Sequence, residues 1–389
     1  MRMRAVVAAV AVGFGGVLLT ADPGRAQSLI EAVQAALSNN CAALSGPYGA
    51  ELNELCQIPA TTSAAAAGGT ITIERRAGAA EEERRIQRRL KERREGASND
   101  AGRGLSLFVT GDYQAFDKDR TRFEVGYRQD TAGTTVGADL ALGRTLVLGA
   151  AVSYAHEFGD FDGVGGGFDN DAVGLTLYGS VVPAPGFFLD GQVGYTYKDY
   201  SIERRVALTI TGAPTRIALG RIDGDTESHE ARVSVSAGYD FVLGALTVGP
   251  RAGVHWRETA VDGFQESGNT GIELVYDDQH VTSVTTTLGL YASFAISTRL
   301  GVLVPHAIAE YVHEFADDQR RIGFRFAQDQ GQTPLSFQTD PPDRDYANLG
   351  VGAVMVLARG VSPYLDYRAL VGYNDRSSHT VTLGLRFEF

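Results

Sequence analysis

Beyond about residue 104 the chain alternates apolar and polar positions with a period of two, the signature of half-buried β-strands rather than helices. In Ala231 to Leu243, Ala231, Val233, Val235, Ala237, Tyr239, Phe241 and Leu243 fall on one face. Arg232, Ser234, Ser236, Gly238 and Asp240 fall on the other. The same pattern runs through Leu146, Leu148, Ala150, Val152 and Tyr154, and through Pro363, Leu365, Tyr367, Ala369 and Val371. The chain ends on an uninterrupted example: Val381, Leu383, Leu385, Phe387 and the terminal Phe389 share a face, with Thr380, Thr382, Gly384, Arg386 and Glu388 opposite. An apolar strand face on a soluble sheet invites edge-to-edge association, whereas in a bilayer it is the wall of a closed barrel.

About twelve such strands fit between Leu105 and Phe389, and their connections sort by length. Short turns fall at Leu142 to Arg144, Pro183 to Gly186, Leu243 to Ala245, Ser297 to Arg299 and Ala358 to Gly360. Between them are polar or Gly-rich stretches that read as long loops: Gly159 to Asp169, Val206 to Thr226, Asp262 to Gly271 and Asp317 to Asp343. Short periplasmic turns opposite long outer loops are the layout of an outer-membrane barrel, with the C-terminus on the periplasmic side. The expected fold class is therefore all-β: a transmembrane antiparallel β-barrel of about twelve strands occupying residues 104–389. A mean hydropathy of −0.09 fits, because lipid-facing and lumen-facing residues cancel in any average. No segment after residue 19 is long and apolar enough for a membrane helix.

The N-terminus addresses the chain for export. Arg2 and Arg4 precede an apolar run from Ala5 to Leu19, and Gly24 and Ala26 stand at the −3 and −1 positions of a cleavage site before Gln27, so residues 1–26 read as a signal peptide. Residues 27–59 read as a small helical hairpin, with Ser28 and Glu31 forming a capping box before Leu29, Ile30 and Val33. Cys41 and Cys56, the chain's two cysteines, are expected to pair in an oxidising periplasm, a staple contributing about 3 kcal/mol to a unit without a core of its own. Residues 60–73 are an Ala/Thr/Gly linker.

Residues 74–103 hold a predicted helix and a hinge. From Glu74 to Glu95 there are nine Lys/Arg and six Glu, a net charge of +3 against −12 for the whole chain, so the remainder is strongly acidic. Ile86 and Leu90 are the apolar residues of its central stretch, which excludes docking on an ordinary hydrophobic core and points to a polar container. The expected container is the barrel lumen, with Arg84, Arg85, Arg88, Arg89, Arg93 and Arg94 facing wall carboxylates such as Asp240, Glu310 and Asp366, which alternation turns inward. A solvated helix and a lipid- or nucleic-acid-binding patch are the competing readings, and the interleaved Glu residues oppose nucleic acid. In the strand from Leu303 the inward positions Val304, Ile308 and Val312 are apolar, so the lumen is not expected to be polar throughout.

Motifs for catalysis are missing: no GxSxG elbow, HExxH or P-loop occurs. His156, His229, His255, His306 and His313 are scattered over strands, as polar wall or girdle residues rather than a metal cluster. No enzyme activity, cofactor or metal is expected.

Four stretches, VDGFQESGNTGIELVYDDQHVTSVTTTLGLYASF within 259–294, VPHAIAEYVHEFADD at 304–318, DRDYANLGVGA at 343–353 and the terminal LGLRFEF, closely resemble, in order, the translocator barrel of the autotransporters, the type V secretion proteins of Gram-negative bacteria. The resemblance implies a twelve-stranded outer-membrane barrel with a helix through its lumen, carrying an N-terminal passenger to the cell surface. It also implies that Val381, Leu383, Leu385, Phe387 and Phe389 form the signal read by the barrel-assembly machinery, and that periplasmic chaperones escort a monomeric barrel to outer-membrane lipid. Some members cut themselves at a lumenal Asn, for which Asn99 is a weak candidate and a hinge the stronger reading. The passenger stretch, 27 to about 73, is far shorter than is usual in the family. Two other readings stand beside export: a plugged or gated pore that secretes nothing, and a protease- or phospholipase-type barrel, for which the rim lacks clustered Asp/His or Ser/His.

Overall fold

A computed structural model describes residues 104–389, apart from positions 122, 144, 163–165, 211–215, 269–272, 330 and 333, and upstream Arg84, Ile86, Gln87 and residues 89–91. The signal peptide, the residue 27–59 unit with Cys41 and Cys56, the linker, Asn99, and Arg85, Arg88, Arg93 and Arg94 lie outside the described residues.

Twelve long strands form the barrel: β1 (Leu105–Lys118), β2 (Tyr127–Leu142), β3 (Leu146–Phe161), β4 (Gly166–Ala184), β5 (Phe187–Ile210), β6 (Arg216–Tyr239), β7 (Leu246–Val261), β8 (Gln279–Phe294), β9 (Gly301–Glu314), β10 (Asp345–Leu357), β11 (Val361–Val371) and β12 (Arg376–Glu388). Each pairs antiparallel with its neighbours in sequence. The sheet closes when β1 pairs with β12, from Ser106 opposite Glu388 to Lys118 opposite Arg376. Closure removes both edges, which only a closed sheet achieves in lipid.

Burial alternates along the strands as the sequence pattern requires. On β12 Val381, Leu383 and Phe387 face outward, and Thr380, Thr382 and Arg386 inward. Outward positions are apolar because lipid surrounds them; most inward ones are Ser, Thr, Gln, Asp, Glu, Arg and Lys, because the lumen lets polar groups satisfy one another. Where an inward ring is large the facing strand supplies a glycine: Tyr178 lies over Gly149, and Tyr364 over Gly384.

The loops differ from the expectation in one respect. Val206 to Thr226 is a continuation of the β5–β6 hairpin, paired from Val206 opposite Gly220 out to Ile210 opposite Arg216. The Gly-Ala-Pro stretch at 212–214 reads as a loop, yet residues on both sides of it, Val206 to Ile210 and Arg216 to Gly220, are paired strand. Likewise β3 and β4 take up most of Gly159 to Asp169. The connections after β7 and β9 are themselves folded. Their short strands, Phe264–Gln265, Leu274–Tyr276, Arg321–Phe326 and Leu335–Gln338, form a second, four-stranded sheet at the long-loop end. Its apolar side chains Phe264, Leu274, Tyr276, Ile322, Phe324 and Phe326 are buried.

Candidate functional site

The site is the lumen at the short-turn end of the barrel, where the described residues of the upstream segment are helical. Arg89 is the centre of contact. Its Nε donates to Asp139 Oδ2 at 2.6 Å, and its Nη2 donates to Asp139 Oδ1 at 2.9 Å and to Ser106 Oγ at 2.7 Å. Asp139 on β2 and Ser106 on β1 point inward, and Tyr178 on β4 adds its hydroxyl to Asp139 Oδ2 at 3.3 Å. The guanidinium also stands 5.4 Å from the Phe108 ring centroid. Both charges are almost wholly shielded from solvent. Such a pair is worth having only when its remaining donors and acceptors are also met, and the hydroxyls of Ser106 and Tyr178 contribute to that.

The helix does bury apolar surface, which corrects the expectation that a helix with so few apolar residues gains nothing from packing on an apolar patch. Ile86 and Leu90 are fully buried against Phe108, Ala141, Val147, Ala151 and Tyr178 from the inner faces of β1 to β4. The residues fall four apart, so they form a single stripe on one helix face, narrow but sufficient for an equally narrow apolar patch on the wall. Lys91, one residue on, places its ammonium 3.8 Å from the Tyr291 ring centroid, and Arg251 sits 4.4 Å from the same centroid. Apolar stripe and salt bridge on β1 to β4, and cation–π contact on β8, thus seat about two turns of helix against two sides of the lumen.

The wall carboxylates singled out in the sequence all turn inward and have partners on the wall. Asp240 lies 3.7 Å from Arg251, Glu310 3.5 Å from Arg368, and Asp366 accepts from or pairs with His306 Nε2 at 2.8 Å. Asp139 and Ser106 were not singled out, although the parity of β2 and β1 identifies both as inward. Elsewhere in the lumen Glu157 is held by Lys198 at 2.9 Å and Asn170 at 2.7 Å, and Arg232 donates to Thr196 and Thr176.

At the opposite end the folded loops are tied to the wall on two sides. Arg204 of β5 makes a two-point bond to Glu266, Nε to Oε1 at 3.0 Å and Nη2 to Oε2 at 2.5 Å, and Glu266 also accepts from the Leu274 amide. Burial, and after it the charge of Glu266, pushes the Tyr276 hydroxyl of this sheet well above the usual phenol range. Across the mouth, Lys118 Nζ meets Glu124, Asp340 and Asp375 at 2.9, 2.8 and 2.8 Å. These acids come from the connections after β1, β9 and β11, so a single ammonium gathers three loops.

The outer face carries a second regularity near the long-loop end. Tyr113, Tyr154, Tyr195, Tyr311 and Tyr367, on five of the six upward strands, each bond a residue on the next strand: Asp130, Asp171, His229, Asp345 and His379. His156 and His313 join the Asp171 and Asp345 pairs. This is an interfacial aromatic girdle whose hydroxyls are satisfied within the protein. His255 and His306 instead face the lumen.

A closed barrel of twelve strands with a basic helix seated in its lumen narrows the possibilities to few families, and the comparisons agree. The Autotransporter beta-domain family model matches residues 107–368. The chain belongs to the autotransporter β-domain family. Among curated relatives, Lipase 1 of Photorhabdus luminescens is 23% identical over 269 residues, covering 68% of this chain and 39% of that protein. The putative uncharacterized protein YaiT of Escherichia coli is 23% identical over 304 residues, covering 77% and 28%. The chain thus spans well under half the length of these relatives. Among solved structures, the translocator domain of the autotransporter NalP from Neisseria meningitidis superposes with a TM-score of 0.60 at 16% identity, covering 80% of this chain and 97% of that one. The β domain of the Bordetella autotransporter BrkA gives 0.52 at 18%, covering 74% and 100%. The autotransporter domain is a translocator-type transport barrel of the bacterial outer membrane, surrounded on its apolar face by lipid.

Proposed function

We propose that the barrel carries the segment at residues 27–73 through its pore to the cell surface, and that residues 74–103 then remain in the lumen as a plug and tether. The observation that supports this most directly is the seat of Arg89 between Asp139 and Ser106, which ties the upstream segment to the inside of the wall. In this reading residues 1–26 are removed on export, Cys41 and Cys56 are disulfide-bonded in the passenger unit, and the plug's other cations, Arg84, Arg85, Arg88, Arg93 and Arg94, add to the attraction of Asp240, Glu310 and Asp366. Asn99 serves as a hinge, with cleavage there the lesser alternative. The β12 face from Val381 to Phe389 is the segment recognised by the assembly machinery, with periplasmic chaperones protecting it beforehand, and the barrel works as a monomer without catalysis.

Protease treatment of intact cells, followed by detection of an epitope inserted in the 60–73 linker, tests the export step. Loss of the epitope with the barrel intact is expected. Retention on intact cells, with loss after the outer membrane is permeabilised, favours the second reading, a plugged barrel that secretes nothing.

A further inference from the structure

Five girdle tyrosines have the same kind of partner, and beside them acids line up across three neighbouring seams, Asp171 opposite Asp199, Asp199 opposite Glu227 and Glu227 opposite Asp262; at the last of these, between β6 and β7, a histidine lies within reach of both acids. Here Glu227 and Asp262 face each other directly across the strands, joined by the Asp262 amide donating to the Glu227 carbonyl at 3.0 Å. Two carboxylates in directly opposed positions repel; Glu227 also accepts a hydrogen bond from the Tyr197 hydroxyl, so it takes part in the girdle as well. His229 stands one outward position below Glu227, and ligating atoms of Glu227, His229 and Asp262 all lie within 4.8 Å of one another.

We propose that these three residues bind a divalent transition-metal ion of the zinc class at the outer-leaflet level of the barrel. The imidazole has a partner outside the cluster. Its Nδ1 is bonded to the Tyr195 hydroxyl at 2.7 Å, and its ring lies stacked on Tyr195 and tilted against Tyr197, with centroids 6.2 and 5.5 Å away. When Nδ1–H donates to the phenol oxygen, the lone pair on Nε2 is left for the metal, an outer-shell arrangement that fixes tautomer and ring plane together. The backbone beside the acids is tied down too: Thr226 Oγ1 donates to the Asp262 carbonyl at 2.7 Å, and the Asp262 amide donates to the Glu227 carbonyl. One imidazole and two carboxylates suit zinc and its neighbours better than calcium or magnesium, which take oxygen ligands. Three protein ligands on an exposed surface leave a coordination position open, and just outside the girdle that position faces the headgroup layer.

The test is isothermal titration of the folded full chain in detergent micelles with ZnCl2 and, separately, CaCl2, alongside thermal melts with and without each salt. One zinc ion per chain is expected, bound more tightly than calcium and raising the melting temperature. His229→Ala and Asp262→Asn each abolish both effects. Tyr195→Phe, which keeps all three ligands and removes only the hydroxyl, weakens zinc binding about tenfold. All three variants are outward-facing and are checked for heat-modifiable migration, so loss of binding is not confused with loss of fold. Failure of wild type to take up zinc overturns the proposal. So does zinc binding that survives His229→Ala and Asp262→Asn, which places the ion elsewhere, or a calcium affinity equal to that of zinc.

Discussion

Arg89 and Asp139, fifty residues apart in sequence, meet as a two-point ion pair inside the lumen, with bonds of 2.6 and 2.9 Å. The pair joins the upstream helix to the barrel wall. Removing either partner strands the other charge in a shielded site, which typically costs about 3–5 kcal/mol. Arg89→Ala and Asp139→Ala are each expected to loosen the plug, raising single-channel conductance in planar bilayers and lowering the melting temperature of the detergent-folded protein. The double variant is expected to lose less than the two single losses combined. Strict additivity would mean that the two side chains do not act on each other.

Ile86 and Leu90 give the helix its second hold. Truncating a fully buried aliphatic side chain costs about 2–5 kcal/mol through lost transfer energy and the cavity left behind. Leu90→Ala and Ile86→Ala are therefore expected to raise conductance without altering the lumen's charge. This separates apolar seating from electrostatic attraction, because high salt screens the exposed charges of a plug and leaves the hydrophobic contact intact. Conductance unchanged in Ile86→Ala and Leu90→Ala at high salt would show that charge alone retains the helix.

Strand parity made much of this legible in advance. The outward face of β12, the inward turn of Asp240, Glu310 and Asp366, and the twelve-strand count all follow from a period of two. The seat of the helix does not, because it depends on barrel closure: Phe108, Val147 and Tyr178 are each inward by parity, but only the register of β1 to β4 gathers them into one apolar patch of the right width for Ile86 and Leu90. The sheet over the outer mouth was hidden for a different reason. Its strands are two to six residues long and set among Gly, Asp and Pro, below the length at which alternation rises above chance.

Among the described residues Lys118 is a cation that the three acids Glu124, Asp340 and Asp375 share. Lys118→Met preserves the length of the side chain and removes the charge, leaving three carboxylates to repel at close range. The outer loops are then expected to separate on that side. Limited proteolysis should cut between Asp317 and Asp343 sooner than in wild type, while the barrel itself resists. A cleavage pattern identical to wild type would show that the Arg204–Glu266 bond and the buried apolar side chains hold the sheet without this clamp.

Gly384 and Tyr364 set the last constraint, where β11 meets the terminal strand. A Cβ built at position 384 would clash with Tyr364 Cζ and with its hydroxyl oxygen, so Gly384→Val must push the ring out of place at a cost of about 1–3 kcal/mol. Pairing it with Tyr364→Ala removes the obstacle and is expected to restore much of the loss. The outward face of the same strand obeys a different rule. Asp at Leu385 or Phe387 exposes charge to lipid at a few kcal/mol each, and no inward change compensates for it. Outer-membrane yield distinguishes the two faces: Gly384→Val is rescued by Tyr364→Ala, Phe387→Asp is not, and deletion of Phe389 lowers yield only if the terminal ring is read during assembly, since the finished barrel is already closed through the hydrogen bonds from Ser106 to Lys118. Normal yield after that deletion would locate the recognition signal further up the strand, at Val381 to Leu385.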